Sequence, residues 1–452
     1  MTGMPPLPST LRADPLADDT IAAILDGHQG SQWEAIALVN RLLAQWQTNG
    51  GIAGWQAPAG TPQHIEAALS AYLRAGSQLP DWADPARIAR AEELFFDMSM
   101  MSCTLLFCAS LPECYVIPDL AGVLHVAGQL EAHTDYRVRA TAAMIFPVMM
   151  RGGLTAPEGG GVAQILKVRL IHATIRHLIV RGNPSGATAG GGALVPPLAG
   201  PSRNVHDTLH AHGWDVRAHG LPCNQEELAY TLLTFHYIFL RGLRKLGLGL
   251  PQQDEEAYLH AWSVVGHILG IEQGLMPSTM AAAEPAFEAM QARGCQSSWL
   301  PDPRPALGAA LMAAMANEIP LRLLKPFPVL LTRYLCGDAA RTTLGLDQRV
   351  NLLSRALFVL GMGLTRAIDT VVRLLLPQFS ICRMITRIVG YQFTVKFLMD
   401  QTRPLKLPTA LLDQVDTVVR GWGHDPKAPG WMNRLEARLA GRRGHGATGG
   451  GQ

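Results

Sequence analysis

The chain has 452 residues, of which 48% are hydrophobic and 16% are charged, and its formal net charge is +2. Soluble domains contain about 25% charged residues on average, so the lower value here indicates one large core rather than several small ones. The composition excludes a wholly disordered chain, because disorder requires low hydrophobicity and high net charge. It also argues against nucleic acid as a partner, since the nearly neutral chain provides no attractive field for phosphates.

The N-terminal residues lack the pattern of an export signal. Residues 1–8 contain no basic segment followed by an apolar run, and no pair of arginines precedes one. We therefore expect a cytoplasmic protein for the chain as given, and a secreted protein if the true N-terminus is longer.

The apolar runs are shorter than a membrane-spanning helix, which needs roughly 18 uncharged residues. The most apolar stretch, Ala356–Leu364, is bracketed by Arg355 and Arg366 and has the length of a buried core helix. The segment 352–398 is both basic and apolar. A peripheral membrane contact through this segment is therefore the alternative that the pattern leaves open.

Composition also suggests how the chain is divided. Residues 1–60 are polar and rich in glycine and proline, which predicts an N-terminal arm that packs on the body of the protein. The helical domain should then extend over residues 61–425. The last residues are rich in glycine, so we expect a flexible C-terminal tail over 426–452.

Apolar residues recur with helical spacing from residue 87 onwards, and strict alternation, which would indicate strands, is nowhere sustained. The helical pattern covers 87–107, 117–130, 134–150, 162–181, 224–245, 254–270, 306–317, 319–336, 348–375, 380–400 and 408–421. Residues 182–203 separate two of these helices, and a loop of this length in a compact domain is often functional. We predict an all-α fold with a single large helical domain.

The helix predicted over 162–181 has an unusual charge pattern. Its uncharged positions are apolar all the way round, which indicates a buried helix, yet it contains Arg169, His172, Arg176 and His177. Arg169, His172 and Arg176 are three and four residues apart and therefore share one face.

Two buried guanidinium groups need anions, because an unpaired charge removed from water costs several kcal/mol. One candidate is a pair of buried aspartates or glutamates. The other is a dianionic ligand, since arginine binds carboxylates and phosphates in a bidentate manner. A haem has this shape, with an iron for His172 and two propionates for Arg169 and Arg176. By spacing alone, pairing with protein carboxylates is the favoured alternative.

A second polar cluster precedes the apolar stretch 142–150. Arg137 and Thr141 are four residues apart, so they share a helical face. A polar pair at the mouth of an apolar pocket suits an oxygen-binding site on iron. By spacing alone, an exposed first helical turn is the favoured alternative.

At these residues the chain resembles the latex clearing protein family, the haem b rubber oxygenases. The family pattern Arg-x-x-His-x-x-x-Arg-His is matched by Arg169, His172, Arg176 and His177. A second family element, an arginine followed four residues later by a threonine, is matched by Arg137 and Thr141. Weaker similarities occur at Ala17 and Asp18, Ser110–Glu113, Asn224–Thr231 and Trp262.

The resemblance implies a globin-like haem-binding core with additional covering helices, and a role for each matched residue. His172 would be the metal ligand, bound to the iron of haem b through a ring nitrogen. Arg169, Arg176 and His177 would support the haem and its propionates. Arg137 and Thr141 would be catalytic, on the distal side where dioxygen meets the substrate double bond.

The chain departs from the family pattern in two ways. Some members have a lysine directly before the distal threonine that can cap the iron, whereas this chain has Ala140. The iron would then be open or bound by water. Rubber-cleaving members also have a distal glutamate, a suggested base, and no acid here aligns cleanly with it. The nearby acids are Glu113, Asp119, Glu131 and Asp135.

Three hypotheses about function follow. The first is a dioxygenase that cleaves the double bonds of cis-1,4-polyisoprene to oligoisoprenoids with aldehyde and ketone ends. The second is a related haem oxygenase that acts on a smaller terpenoid or lipid chain. The third is a non-catalytic helical protein that binds haem or lipid. The expected partners are dioxygen and an apolar isoprenoid, and we expect a monomer.

Overall fold

The computed structural model describes residues 7–126, 141, 144–189, 191–200, 204–317, 319 and 321–375. Within these residues the only strands are β1 (Leu194–Val195) and β2 (Trp214–Asp215), which pair antiparallel with Leu194 opposite Asp215. The predicted all-α class is confirmed. The globin-like form of the core and the domain boundaries near residues 60 and 425 stay predictions.

The described α-helices are numbered here in chain order. They are α1 (Pro15–Asp26), α2 (Gln32–Leu43), α3 (Asn49–Ala53), α4 (Gln63–Gly76), α5 (Pro85–Asp97), α6 (Ser99–Leu105), α7 (Leu111–Tyr115), α8 (Pro118–Val126), α9 (Gly161–Val180), α10 (Pro184–Thr188), α11 (Val205–Ala211), α12 (Val216–His219), α13 (Gln225–Lys245), α14 (Gln252–Ile268), α15 (Met280–Gly294), α16 (Arg304–Asn317), α17 (Phe327–Cys336), α18 (Asp338–Thr343) and α19 (Leu352–Leu375). Residues 141 and 144–149 are also helical. The helices predicted over 380–400 and 408–421 lie outside the described residues.

The described residues fall into two compact units. The first comprises residues 7–94 and 105–350, and the second comprises 95–104 and 351–375. In the second unit, α19 exposes a set of large apolar side chains to solvent, namely Leu352, Leu353, Val359, Leu360 and Leu364. The segment 352–398, for which a peripheral membrane contact was the alternative, comprises this helix and residues outside the described part.

No single described helix is both long and apolar enough to cross a bilayer. Pro85–Asp97 and Met101–Tyr115 meet the criterion of length and composition only when they are counted together.

Helix α1 was not predicted, because residues 1–60 indicated only an arm that packs on the body, with one amphipathic stretch near residues 32–46 where α2 lies. Pro15 occupies the first turn, where the missing N–H costs nothing. Ile21, Ile24 and Leu25 then repeat at helical spacing and are buried. The helix packs against α4 and along α9, so it belongs to the core of the first unit.

The single helix predicted over 87–107 is instead α5, α6 and a π-helical turn at Leu106–Ser110 that leads into α7. All five residues of the π-helical turn are buried. Pro112 lies in the first turn of α7, directly after the π-helical turn. Single π-turns of this kind are common beside functional sites.

A remote side chain caps the N-terminus of α9. The Asn49 Oδ1 accepts hydrogen bonds from the backbone N–H groups of Val162 and Ala163, at 3.1 and 3.4 Å. Its Nδ2 donates to the carbonyls of Gly153 and Ala156, both at 2.9 Å. These contacts satisfy groups that a helix end would otherwise leave unpaired, and they fix where α9 begins.

Candidate active site

An apolar cavity of about 340 Å³ lies among α7, α8, α9, α13 and α14 in the first unit. Its volume falls within the range of about 300–1,000 Å³ that is typical of small-molecule sites. Most of the described lining is aliphatic or aromatic. The polar side chains in it include His172, Thr141, Glu227 and Thr231. Such a cavity suits an apolar ligand that makes a few directed polar contacts.

Helix α9 contributes one of its faces to the cavity. Ile165, Val168, His172 and Ile175 all line it, and they are three or four residues apart. His172 is the side chain on this face with the chemistry of a metal ligand, since a neutral imidazole nitrogen binds iron readily. The cavity is bounded elsewhere by Phe235 and Trp262, whose rings stack with centroids 5.6 Å apart.

Arg169 does not line the cavity; its guanidinium reaches across to the start of α1. Nε and Nη2 donate to the two carboxylate oxygens of Asp14 at 2.6 and 2.7 Å, and Nη1 donates to the Ile268 carbonyl at 2.9 Å. Every nitrogen of the guanidinium is therefore used, in the bidentate geometry that is strongest for this pair.

Gly270 makes room for this pair. A Cβ atom at residue 270 would lie 2.7 Å from the Asp14 Oδ2 and 2.8 Å from the Nε and Nη2 of Arg169. The residue also has a φ of +87°, which glycine adopts without strain.

Arg176 is fully buried and forms the second pair. Its Nε and Nη2 lie 2.9 and 2.8 Å from the Asp18 Oδ1, and Nη1 donates to the Cys223 carbonyl at 2.8 Å. Burial raises the pKa of Asp18 to about 6, although the charge of Arg176 acts in the opposite direction. Cys223 has a φ of +53°, a conformation that is uncommon for a residue other than glycine, and its carbonyl is held in place by Arg176.

The two arginines thus have protein carboxylates as their anions, which is the first of the two candidates that the sequence allows. Asp14 and Asp18 lie one helical turn apart at the start of α1 and neutralise Arg169 and Arg176 two turns apart on α9. The assignment of these arginines to haem propionates stays a prediction. Their contacts in the structure are those of a clamp that fixes α9 against α1.

His177 is buried but is absent from the cavity lining. Its Nδ1 has no hydrogen-bond partner among the described residues. Burial lowers the pKa of His177, with Asp26 acting in the opposite direction. The imidazole is therefore neutral at pH 7, and its predicted contact with a cofactor stays untested.

The second cluster predicted from the sequence is only partly described. Thr141 lines the cavity, as expected for a residue beside the reacting ligand. Arg137 and Ala140 lie outside the described residues. The structure therefore brings Thr141 and His172 to one cavity and leaves the position of Arg137 as a prediction.

Two of the four acids named from the sequence are described, and neither lines the cavity. The buried Glu113 accepts hydrogen bonds from Arg241 and from the Gln291 side-chain amide, the latter at 3.0 Å. Asp119 accepts from Ser297 and Trp299, both at 2.7 Å, and lies 2.8 Å from the His219 Nδ1. Glu131 and Asp135 lie outside the described residues.

The carboxyl group that does line the cavity is Glu227, on the first turn of α13. In the sequence it reads as part of a helix-capping pattern, and its N–H indeed donates to the Asn224 Oδ1 at 3.0 Å. The capping pattern does not reveal that the Glu227 side chain also lines the cavity. Its Oε2 is buried without a hydrogen-bond partner among the described residues.

The cavity fits a haem in the chemistry of its lining. A haem in a protein needs an axial ligand such as imidazole and apolar walls on both faces of the ring. His172 provides the first, and the aliphatic and aromatic side chains provide the second. No arginine or lysine lies in the described part of the lining, so the propionates of a bound haem would meet groups beyond it.

Comparison with known proteins agrees with this chemistry. Residues 119–367, more than half of the chain, match the family described as "ER-bound oxygenase mpaB/B'/Rubber oxygenase, catalytic domain". The protein is therefore an oxygenase. The chain belongs to the rubber oxygenase and latex clearing protein family, as its His/Arg pattern predicts.

Two individual proteins are similar to this chain. A protein of Streptomyces sp. (strain K30) named "Rubber oxygenase" is 25% identical over 335 residues, which cover 74% of this chain and 68% of the relative. The solved "Structure of Latex Clearing Protein LCP in the closed state" matches with a TM-score of 0.59 at 20% identity, over 92% of this chain and 91% of that one. The structural match shows a shared fold.

Gly270→Ala tests the clamp between α1 and α9. The added methyl group would displace the Asp14–Arg169 pair, and breaking a buried pair costs about 3–5 kcal/mol. We expect a loss of this size in the free energy of unfolding, measured by urea denaturation.

Gly60→Ala is the matched control. Gly60 has the same φ of +87°, but a Cβ atom added there would have nothing within 4 Å of it. In this variant the free energy of unfolding should fall only by the strain of the left-handed conformation, about 1–2 kcal/mol. Equal losses in the two variants would show that the pair contributes nothing to stability.

Proposed function

We propose that this protein is a haem b-dependent dioxygenase that cleaves carbon–carbon double bonds of an isoprenoid chain. The observation that supports this proposal most directly is the position of His172 in an apolar cavity of about 340 Å³. An imidazole in such surroundings suits an iron porphyrin, and membership in an oxygenase family supports the use of dioxygen.

The residues of the cavity would have the following roles. His172 would hold the haem iron through a ring nitrogen, and the two ion pairs to α1 would keep its helix in position. The bound haem would supply the one-electron and oxygen chemistry that amino-acid side chains lack. The aliphatic and aromatic walls would exclude water and favour a hydrocarbon chain. Thr141 would offer a hydroxyl group as a hydrogen-bond donor to a polar atom in the cavity.

For the substrate, cis-1,4-polyisoprene is the first candidate and a smaller terpenoid or lipid chain is the second. The name of the Streptomyces relative supports the first, while its 25% identity leaves room for a different chain length. Oxygen uptake with polyisoprene latex and with short isoprenoids, followed by detection of aldehyde and ketone ends, would separate the two. The non-catalytic alternative loses support, because the chain belongs to an oxygenase family.

The role of His172 can be tested by removing its imidazole. In His172→Ala the iron would lose its protein ligand, so we expect haem affinity to fall by about 100-fold or more. The measurement is the haem-to-protein ratio after expression with added haem, read from the Soret absorption and from a chemical haem assay.

Thr174→Ala is the control on the same helix, because the Thr174 side chain does not line the cavity and has no predicted contact with the haem. This variant should keep its haem. Full haem occupancy in His172→Ala would contradict the ligand assignment, and haem loss in both variants would point to a general disturbance of α9.

Thr141→Val removes a hydroxyl group and keeps the shape of the side chain. We expect haem to be retained and kcat to fall by about 100- to 1,000-fold, the usual range for losing one donor that faces developing charge. Arg137→Ala should give the same pattern. Loss of haem in either variant, seen in the absorption spectrum, would instead show that the residue holds the cofactor.

A further inference from the structure

Glu227 stands between two cavities of different character. On one side is the apolar cavity of His172, and on the other is a larger cavity of about 630 Å³ that Glu227 also lines. The larger cavity, called the outer cavity here, is bordered by polar side chains that include Asp119, His219 and Arg293. The Arg293 side chain is 54% exposed, so the outer cavity reaches solvent.

The neighbour of Glu227 on α13 shows what an ordinary carboxylate looks like in this region. Glu226 lines only the outer cavity, where its two oxygens bind Arg293 at 2.8 Å and the Ser9 hydroxyl at 2.6 Å. Within the described part of the chain, the Glu227 carboxyl group forms no ion pair of this kind. The residue is 7% exposed, and its Oε2 has no hydrogen-bond partner among the described residues.

The charges around Glu227 oppose its ionisation on balance. Burial raises its pKa well above the ordinary value, and the charge of Asp119 on α8 adds to this. The backbone N–H groups of Cys223 and Asn224 and the charge of Arg176 act in the opposite direction but are weaker. His219 on α12 is engaged by Asp119, whose hydrogen bond raises the pKa of that imidazole.

We propose that Glu227 is a neutral carboxylic acid at pH 7 and exchanges protons between the outer cavity and the apolar cavity of His172. In each exchange the O–H bond of the Glu227 carboxyl breaks, the proton passes to a basic oxygen atom of a ligand bound in the apolar cavity, and the carboxylate takes a proton back from solvent in the outer cavity. No electrons are transferred. Proton transfer from Glu227 to a ligand rests on the proposed function, whereas the protonation state of Glu227 does not.

A neutral Glu227 differs from a simple helix cap in a measurable way. An ionised carboxylate is the form that stabilises a helix N-terminus through the helix dipole. A carboxylate there would strengthen α13 but could not donate a proton to a ligand in an apolar cavity. The protonation state of this one group at pH 7 therefore decides between the two roles.

Infrared difference spectroscopy measures that state in the whole chain, with or without haem. We expect the spectrum of the parent minus Glu227→Gln at pH 7 to contain the carbonyl stretch of one protonated carboxyl group. Glu226→Gln, the matched control one residue away, should show only the bands of an ionised carboxylate. A carboxylate signal for Glu227 as well would overturn the proposal.

Transfer of the parent protein into D₂O tests the exchange. If the outer cavity delivers protons to Glu227, its carbonyl band should shift to the deuterated position well before the core amides exchange. A band that shifts only together with the core amides would overturn the exchange pathway, since it would show that Glu227 meets solvent only when the fold opens.

Folding stability gives an independent readout. Because the folded state would hold the Glu227 proton above pH 4.5, where the unfolded chain releases it, the parent should lose stability as pH rises. The folding constant of Glu227→Gln relative to the parent should therefore rise with pH, by up to about tenfold per unit. A ratio that stays constant from pH 5 to 8 would overturn the proposal. Failure of the protein to bind haem would overturn the proposed function and leave the infrared, deuterium-exchange and stability results unaffected.

Discussion

The position of α9 depends on two buried ion pairs that join it to α1. Asp14 and Asp18 lie one turn apart and hold Arg169 and Arg176, and in each pair a further guanidinium nitrogen binds a backbone carbonyl. Removing one partner of such a pair costs about 3–5 kcal/mol, because the other charge is left in the core. These four charged side chains thus fix the direction of α9. Through them, α9 is joined to the start of α1 and to the backbone at Cys223 and Ile268.

The two sides of α9 therefore have different contacts. The side chains of Arg169 and Arg176 fix α9 from one side, while Ile165, Val168 and His172 meet the cavity on the other. A ligand bound at His172 would therefore be held on a rigid element, which is the arrangement that keeps reacting atoms within a fraction of an ångström. Across the cavity, Glu227 joins an apolar interior to a polar exterior. The site combines the imidazole of His172, an apolar space and one buried acid.

Many of the helices and two of the cavity residues could be predicted from the sequence, because helical spacing is a local property. The bounds of α9 and α13 agree with prediction to within one residue, and Thr141 and His172 do line one cavity. The partners of Arg169 and Arg176 could not be chosen, because they lie about 155 residues away along the chain. Glu227 was missed for a similar reason, as its capping role is visible locally while its place in a cavity wall depends on α8 and α9.

The central claim is that Arg169 serves the fold, with His172 as the residue of α9 that meets the cofactor. Haem affinity of the double variant Asp14→Leu/Arg169→Met tests this most directly, because replacing both members of a buried pair by apolar residues is often neutral for stability. If Arg169 is a clamp, haem affinity should stay within about threefold of the parent. If Arg169 instead binds a propionate, affinity should fall by about tenfold or more in a protein with unchanged helix content, and that result would contradict the account.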